Sequence, residues 1–203
     1  MAEVLPADDK GLARAVAILR SGGLVAFPTD TVYGIGCRAG DAEALERVFE
    51  AKRRPPEKSV PVLVASLEQA TGLGYQTDER ARALAAAFWP GALTLVLPAM
   101  RSEAGSTTAF RVPDHRVALA LIGSGGPLAT SSANRSGEPD TFEADDVLIA
   151  FADTPLLDAV IDGGHVPGGT ASTVVDLSVS PPRVLRDGPI TRERLAEVIG
   201  PVD

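Results

Sequence analysis

Short apolar runs alternate with amphipathic segments along almost the whole 203-residue chain. The runs are rich in the aliphatic residues of buried strands, and the segments between them repeat apolar residues at helical spacing. Such alternation predicts an α/β fold, in which helices flank a twisted sheet of parallel and antiparallel strands. No repeat, low-complexity tract or change of composition divides the chain, and 45% hydrophobic residues suffice for a substantial core. We therefore expect residues 1–203 to form a single domain.

Turn residues and helix caps mark the boundaries of the expected elements. We expect strands at 24–27, 60–66, 92–99, 107–113, 127–130, 157–164, 172–178 and 183–188. Helices are expected at 9–21, 41–54, 77–89, 114–123, 142–152 and 191–200, with a short helix after Ser66. Asp41 and Asp114 are each placed to cap a helix start, and Thr77 or Asp78 should cap the helix at 77–89.

The charge balance argues against a surface that binds nucleic acid directly. The net charge is −8, and the isoelectric point is about 4.8. Because counterion release needs a broad positive surface, any contact with tRNA should be weak or indirect. No apolar run approaches the ~18 residues of a membrane span, and the acidic residues near the N-terminus are unlike a signal peptide. We expect a cytoplasmic protein without membrane contact.

The chain has too few cysteine and histidine residues for a fold held together by disulfides or by zinc. One cysteine, Cys37, excludes an internal disulfide, and two histidines add too few soft ligands for a structural zinc site. We expect Cys37 to be a small buried apolar residue.

The stretch FPTDTVYGIGC, residues 27–37, interrupts the pattern directly after an expected buried strand. It is either a plain turn between strands or a backbone shaped around a small polar ligand. Gly34, Gly36 and Gly40 also resemble a glycine-rich phosphate loop before a helix. That pattern is weak, because PTDTVY separates the glycines from the strand and a basic segment stands where an acidic ribose ligand is expected. Only NADP would suit such a loop.

Hydroxyl and amide side chains recur beside the ends of the expected strands, where ligands collect in open α/β sheets. For any single residue, a turn or a helix cap is the ordinary explanation. Recurrence together with nearby cations favours phosphate binding and amino-acid capture over hydrolysis. The residues are Thr29, Thr31, Thr107, Thr108, Ser131, Ser132, Asn134, Ser136, Thr141, Thr170, Ser172 and Thr173, with Arg54, Lys58, Arg111 and Arg186.

Seven strings then resemble, in order, the YrdC/Sua5 family of L-threonylcarbamoyladenylate synthases. They are FPTDTVYGIGC, KRRPPEKSVPVLVAS, WPGALTLVL, FRVPDH, PLATSSANRSGEPD, IDGG with STVVDLS, and VLRDGPI, and they cover about residues 10–199. The chain resembles the short form of the family. The resemblance implies a YrdC-like domain whose sheet and helices surround a central ligand cleft.

The resemblance also implies an activity and partners. Family members join L-threonine, bicarbonate or CO₂, and ATP into threonylcarbamoyl-AMP and pyrophosphate, with Mg²⁺ held through the ATP phosphates and not by protein ligands. Partner proteins then transfer the threonylcarbamoyl group to position 37 of tRNA, which gives the t⁶A modification.

Matching the motifs residue by residue gives the expected site. The catalytic set is Lys52, Arg54, Ser132 and Asn134; the ATP set is Arg54, Lys58, Thr108, Asn134, Thr141 and Arg186; the threonine set is Thr29, Arg111, Ser132 and Ser172. A bidentate fork from Arg111 suits the threonine carboxylate, while Thr29 and Ser172 suit its amine or hydroxyl. Relatives with a histidine in the strand after KxRP differ from this chain, which has only apolar residues and Ser66 there.

Other functions remain open at this point. Some relatives look like paralogues proposed to bind RNA or to act in ribosome maturation, and these would be binding modules. The intact Lys52, Arg54, Ser132 and Asn134 favour the enzyme, and the net charge disfavours bare RNA affinity. A YrdC-like domain that makes carbamoyladenylate also occurs in hydrogenase maturation proteins, among zinc-finger and other domains that are absent here.

Overall fold

A computed structural model describes residues 2–55, 59–101 and 105–203. In chain order the described elements are β1 (Glu3–Pro6), α1 (Asp9–Arg20), β2 (Val25–Pro28), β3 (Tyr33–Arg38), α2 (Ala42–Lys52), β4 (Val62–Leu63), α3 (Leu67–Gly72), α4 (Glu79–Phe88), β5 (Leu93–Pro98), β6 (Thr107–Arg111), α5 (Arg116–Gly125), β7 (Leu128–Ser132), α6 (Ala144–Ala150), β8 (Ala159–Asp162), β9 (Thr173–Asp176), β10 (Arg183–Arg186) and α7 (Arg192–Ile199). None of these helices is long and apolar enough to cross a membrane.

The chain forms two compact units, and each is described by itself. The first unit comprises Met1–Val60 and His115–Gly169, and the second comprises Pro61–Asp114 and Thr170–Asp203. The expectation of a single domain with a central ligand cleft stays a prediction.

The first unit orders its described strands β1-β8-β2-β3-β7. β8 runs parallel to both β1 and β2, whereas β3 runs antiparallel to both β2 and β7. Fully buried residues from β2, β3, β8 and α2, among them Tyr33, Ile35, Val48 and Val160, form one continuous apolar core. Cys37 lies in this core, where burial raises the pKa of its thiol to about 12, as expected for an apolar packing residue.

The second unit orders its described strands β4-β6-β5-β9-β10. β4 and β6 are parallel, β6 and β5 antiparallel, β5 and β9 parallel, and β9 and β10 antiparallel. α4 and α7 pack against each other. The expected α/β class, with mixed strands and flanking helices, is confirmed in both units.

Local rules placed several helix starts correctly. Asp41 accepts a hydrogen bond from Ala44 N at 3.0 Å at the start of α2, and Asp78 accepts one from Ala81 N at 2.9 Å at the start of α4. The N-cap predicted for α5 was wrong, because His115 and not Asp114 occupies that position. Ser66 lies at the N-cap of α3 but makes no side-chain capping bond.

Two strands, β1 and β3, were not predicted from the sequence, and β4 is shorter than expected. In β1 a single residue, Leu5, is buried, so the segment lacks an apolar run. β3 contains Gly34 and Gly36, which are typical of turns. The strand expected at 60–66 is only Val62–Leu63.

Candidate functional site

The turn after β2 is held by hydrogen bonds of the Thr29 hydroxyl group. Thr29 Oγ donates to the carbonyl oxygen of Val32 at 2.7 Å and accepts from the backbone N–H of Thr31 at 3.2 Å. Both threonines are buried. The stretch is therefore a serine/threonine turn that leads directly into β3. The threonine contact expected of Thr29 stays a prediction.

The glycines of β3 allow close approach to β7. Gly34 pairs with Ser132 and Gly36 pairs with Thr130. A Cβ on Gly34 would lie 2.8 Å from Thr130 Cγ2, and one on Gly36 would lie 2.7 Å from Thr130 Oγ1. These glycines lie inside a paired strand and not in a loop before a helix, so the dinucleotide-loop alternative is wrong.

Lys52 ends α2 and is 1% exposed. Its ammonium group donates to the carbonyl oxygens of Ser132, at 2.5 Å, and of Asn134, and lies 3.3 Å from Asn134 Oδ1. The backbone carbonyl of Lys52 accepts in turn from Ser136 N at 3.0 Å. Lys52 therefore holds the loop after β7 with all three of its N–H groups, and its expected catalytic role stays a prediction.

The side chains of the same loop form a second set of bonds. Ser132 Oγ donates to Asn134 Oδ1 at 2.6 Å, and Asn134 Nδ2 donates to the carbonyl oxygen of Glu138 at 2.6 Å. Lys52 thus meets Ser132 and Asn134, which lie 80 and 82 residues further along the chain, in one network. We call these three residues the Lys52 cluster.

Arg54 follows Arg53, which adopts a left-handed conformation with φ 50° at the end of α2. Arg54 donates from Nη2 to the carbonyl oxygen of Ser59 at 3.1 Å. Its buried Nε has no hydrogen-bond partner among the described residues. Burial first, and then the charge of Arg54, lower the pKa of Lys52 to about 8. Two neighbouring cations with an unsatisfied N–H favour an anionic ligand at this end of α2.

Of the two remaining ATP residues predicted in the first unit, Thr141 and Lys58, only Thr141 is described. Thr141 is buried, and its hydroxyl donates to the carbonyl oxygen of Ala133 at 3.1 Å. Its own carbonyl oxygen accepts from Tyr33 N at 2.9 Å. Lys58 lies outside the described residues.

Arg135 was missed by the sequence analysis. Its guanidinium donates to the carbonyl oxygens of Ala51 and of Ala150, the latter at 3.0 Å, and pairs with Asp153. It also lies over the ring of Phe151 at 5.0 Å. Arg135 therefore ties the end of α2 to the end of α6 beside the Lys52 cluster. Nothing in the string SANRSG distinguishes it from a surface arginine.

The second unit contains another cluster of hydroxyl and guanidinium groups. Arg186 donates from Nε to the carbonyl oxygen of Ser172 at 2.9 Å and from Nη2 to Ser172 Oγ at 3.0 Å. Ser172 Oγ lies 2.8 Å from the hydroxyl of Thr94, a buried residue of β5 that the sequence analysis did not single out. We call these three residues the Ser172 cluster.

Arg111 adds a second cation to this unit. It is 8% exposed and donates from Nε to the carbonyl oxygen of Gly91 at 3.0 Å. Burial and the nearby charge of Arg111 lower the pKa of Arg186. Arg111 is buried, whereas Arg186 is exposed as a residue and only partly desolvated. Two guanidinium groups of like charge close to each other favour an anionic ligand.

Thr108, a predicted ATP contact, lies on β6. Its hydroxyl donates to the phenol oxygen of Tyr75 at 2.8 Å, and the Tyr75 ring meets Phe110 edge-on at 4.8 Å.

Within the part of the chain that the structure describes, no group of three or more histidine, cysteine or acidic residues could hold a metal ion.

The fold and the two clusters define a mixed α/β protein in which buried cations and hydroxyl groups are arranged as in sites for small anionic ligands. Residues 17–188 match the Sua5/YciO/YrdC family, whose description reads "Telomere recombination", and the chain belongs to this family.

Its relatives include the threonylcarbamoyl-AMP synthase of Bacillus subtilis, which is 41% identical over an alignment of 206 positions that covers 98% of this chain and 59% of that protein. A putative threonylcarbamoyl-AMP synthase of Mycobacterium leprae is 43% identical over 95% of this chain and 90% of that protein. The crystal structure of Pyrococcus abyssi Sua5 complexed with L-threonine matches with a TM-score of 0.89 and 39% identity, over 100% of this chain and 62% of that one. The chain thus spans about three fifths of the Bacillus and Pyrococcus proteins.

Proposed function

We propose that this protein is an L-threonylcarbamoyladenylate synthase, a nucleotidyltransferase of class EC 2.7.7.87. The observation that carries the proposal is the similarity of the entire chain to a Sua5 protein whose structure contains L-threonine. Relatives named threonylcarbamoyl-AMP synthase support it at about 40% identity.

The reaction needs placement and charge neutralisation more than acid–base catalysis. The threonine amine attacks CO₂ and loses a proton, or attacks bicarbonate with loss of water, and gives a carbamate. A carbamate oxygen then attacks the α-phosphorus of ATP, and pyrophosphate leaves. Since both reacting groups are anions, the barrier falls mainly when cations hold them in line and neutralise their charge. The site must also exclude water, because water would decompose the carbamate and hydrolyse the mixed anhydride.

The proposed roles follow the charges of each unit. Arg54, whose Nε has no hydrogen-bond partner among the described residues, and Lys58 bind the ATP phosphates. Further ATP contacts come from Asn134, Thr141, Thr108 and Arg186. Arg111 binds the threonine carboxylate through a bidentate fork, with Thr29, Ser132 and Ser172 as further contacts. Lys52 keeps the loop that carries Ser132 and Asn134 in place.

Mg²⁺ is proposed to arrive with ATP and to be held by its phosphate oxygens. The proposed ligand residues are cationic and hydroxylic, and such groups suit the ATP phosphates better than a bare Mg²⁺ ion. We further propose a cytoplasmic enzyme that delivers threonylcarbamoyl-AMP to transferase proteins acting on tRNA. A net charge of −8 suits a weak or indirect contact with the tRNA itself.

The test is direct product detection. The purified protein is incubated with ATP, Mg²⁺, bicarbonate and L-threonine, and threonylcarbamoyl-AMP is sought by mass spectrometry, with threonine omitted as the control. A threonine-dependent product with release of pyrophosphate is expected. Absence of that product would favour a binding protein of the same fold.

A further inference from the structure

The Ser172 cluster contains a hydrogen-bond donor whose direction is set by a residue with no assigned role. Thr94 lies on β5, which runs parallel to β9, and Ser172 directly precedes β9. The two hydroxyl oxygens are 2.8 Å apart, and Thr94 and Ser172 are 3% and 4% exposed. Both hydroxyl groups are therefore shielded from water, and their hydrogens need protein or ligand acceptors.

One hydrogen is left over at this pair of hydroxyl groups. A hydroxyl carries one hydrogen and two acceptor lone pairs. Within residues 2–55, 59–101 and 105–203, Thr94 Oγ1 has no partner other than Ser172 Oγ, and either oxygen could donate across the contact. Whichever donates, the hydrogen of the other is buried without an acceptor, which is costly. A hydrogen left on Ser172 would lie beside the Arg186 guanidinium, which attracts an anionic acceptor, whereas Thr94 has no cation among its hydrogen-bond partners in those residues. This arrangement favours Thr94 as the donor to Ser172.

Ser172 Oγ also accepts from Arg186 Nη2 at 3.0 Å. Both lone pairs are then used, and the hydrogen of Ser172 has no acceptor in the described part of the chain. Arg186 bonds to Ser172 but forms no ion pair with any described carboxylate. One anionic oxygen would satisfy both the hydroxyl hydrogen and the uncompensated guanidinium charge.

We infer that Thr94 is a positioning residue: by donating to Ser172 it directs the Ser172 hydroxyl hydrogen towards an anionic substrate oxygen that Arg186 also binds. The ligand group is a carboxylate or a phosphate, and it is not an ammonium, because Ser172 has no lone pair left to accept from one. The inference rests on the proposed function, which supplies both anions as L-threonine and ATP. It revises the expectation that Ser172 bonds the amine or the hydroxyl of threonine.

The test compares Thr94→Val, which keeps the shape and removes the donor, with Thr94→Ser, which keeps the hydroxyl. Thr173→Val is the matched control, because Thr173 is equally buried on β9 but bonds only to the backbone of Ile190, at 2.8 and 3.0 Å. Dissociation constants for L-threonine and for ATP with Mg²⁺ are measured separately by calorimetry, and KM and kcat are taken from pyrophosphate release.

Thr94→Val should weaken one of the two ligands about three- to tenfold and raise its KM with little change in kcat. Weaker L-threonine would identify a carboxylate, and weaker ATP a phosphate. Thr94→Ser should restore binding, and Thr173→Val should lower the melting temperature but leave both affinities unchanged. Since Thr94 acts through Ser172, Thr94→Val should add nothing to Ser172→Ala.

Unchanged affinity for both ligands in a folded Thr94→Val protein, or additive effects with Ser172→Ala, would overturn the inference while the proposed function stands. If the parent protein bound neither L-threonine nor ATP, the proposed function would fail, and the inference would fail with it.

Discussion

The ammonium group of Lys52 donates a hydrogen bond to the carbonyl oxygen of Ser132 at 2.5 Å inside the first unit. Further bonds run to the carbonyl oxygen and the side chain of Asn134, so a buried cation holds a loop that lies 80 residues further along the chain. A protonated lysine has three N–H groups, and these acceptors use all of them. The cation is thus a structural part of the proposed ATP site.

This arrangement predicts a pH dependence of stability. Burial lowers the pKa of Lys52 from 10.5 to about 8, so below pH 8 the folded and unfolded chains are both protonated there and the full cost of the buried charge is present. Between pH 8 and 10.5 the unfolded chain binds more protons, so the free energy of unfolding rises with pH. From pH 7 to 9 the parent should gain about 1 kcal/mol relative to Lys52→Met.

Urea unfolding of both proteins at pH 7, 8 and 9 measures this difference. The comparison cancels Cys37, whose raised pKa of about 12 lowers stability above pH 9 in both proteins. Lys52→Met should be less stable at every pH, because it leaves buried carbonyl oxygens without donors. Parallel pH curves for the two proteins would contradict the assigned titration.

Arg54→Ala should abolish most ATP-dependent pyrophosphate release in the presence of threonine. The variant removes a buried Nε that has no hydrogen-bond partner in the described part of the chain, and a charge-assisted contact with phosphate accounts for a loss of about tenfold to a hundredfold. Arg53→Gly is the matched control: it removes an equal charge from an exposed side chain that pairs with Asp153, and glycine suits its φ of 50°.

Activity is followed by pyrophosphate release at saturating threonine while ATP is varied. The control should stay within about twofold of the parent, as exposed ion pairs contribute little. Near-normal activity of Arg54→Ala would remove Arg54 from the site.

What the sequence could predict depended on how local the interaction was. The bonds of Asp41 and Asp78 to N–H groups three residues ahead follow a local rule, and both caps were predicted. β3 was not recognised as a strand, because the need for Gly36 arises from Thr130, which is distant in sequence. Arg135 and Thr94 act through partners 15 to 84 residues away, and no local pattern reports such contacts.

The proposed ligand residues were predicted from the family resemblance and not from a local rule. Lys52, Ser132 and Asn134 were grouped through the family resemblance, and the structure brings their side chains together. Their contacts with substrate stay predictions, since hydrogen bonds within the protein do not identify a ligand.

Gly36→Ala should destabilise the first unit. The added Cβ would lie 2.7 Å from Thr130 Oγ1 and 2.8 Å from the carbonyl oxygen of Ala129, and the backbone atom cannot move without disturbing β7. We expect a loss of about 1 to 3 kcal/mol in the free energy of unfolding, measured in urea. Gly123→Ala in α5 is the control, because its Cβ meets nothing within 4 Å. That variant should gain up to about 1 kcal/mol, and equal stability of the two variants would contradict the close packing of β3 on β7.

The choice of amino acid tests the proposed threonine site most sharply. L-Valine has the shape of L-threonine but carries a methyl group in place of the hydroxyl, so it would leave the polar partners of that hydroxyl unpaired in a buried site. A site that bonds a substrate hydroxyl rejects such an analogue on the order of 10⁴-fold in kcat/KM. L-Serine keeps the hydroxyl and loses a methyl group, which should cost only about tenfold to two-hundredfold. Pyrophosphate release with each amino acid, under otherwise equal conditions, gives the order threonine, serine, valine. Comparable turnover of valine and threonine would mean that the threonine hydroxyl meets no polar partner, and the assignment of Thr29 and Ser132 to a threonine site would then fall.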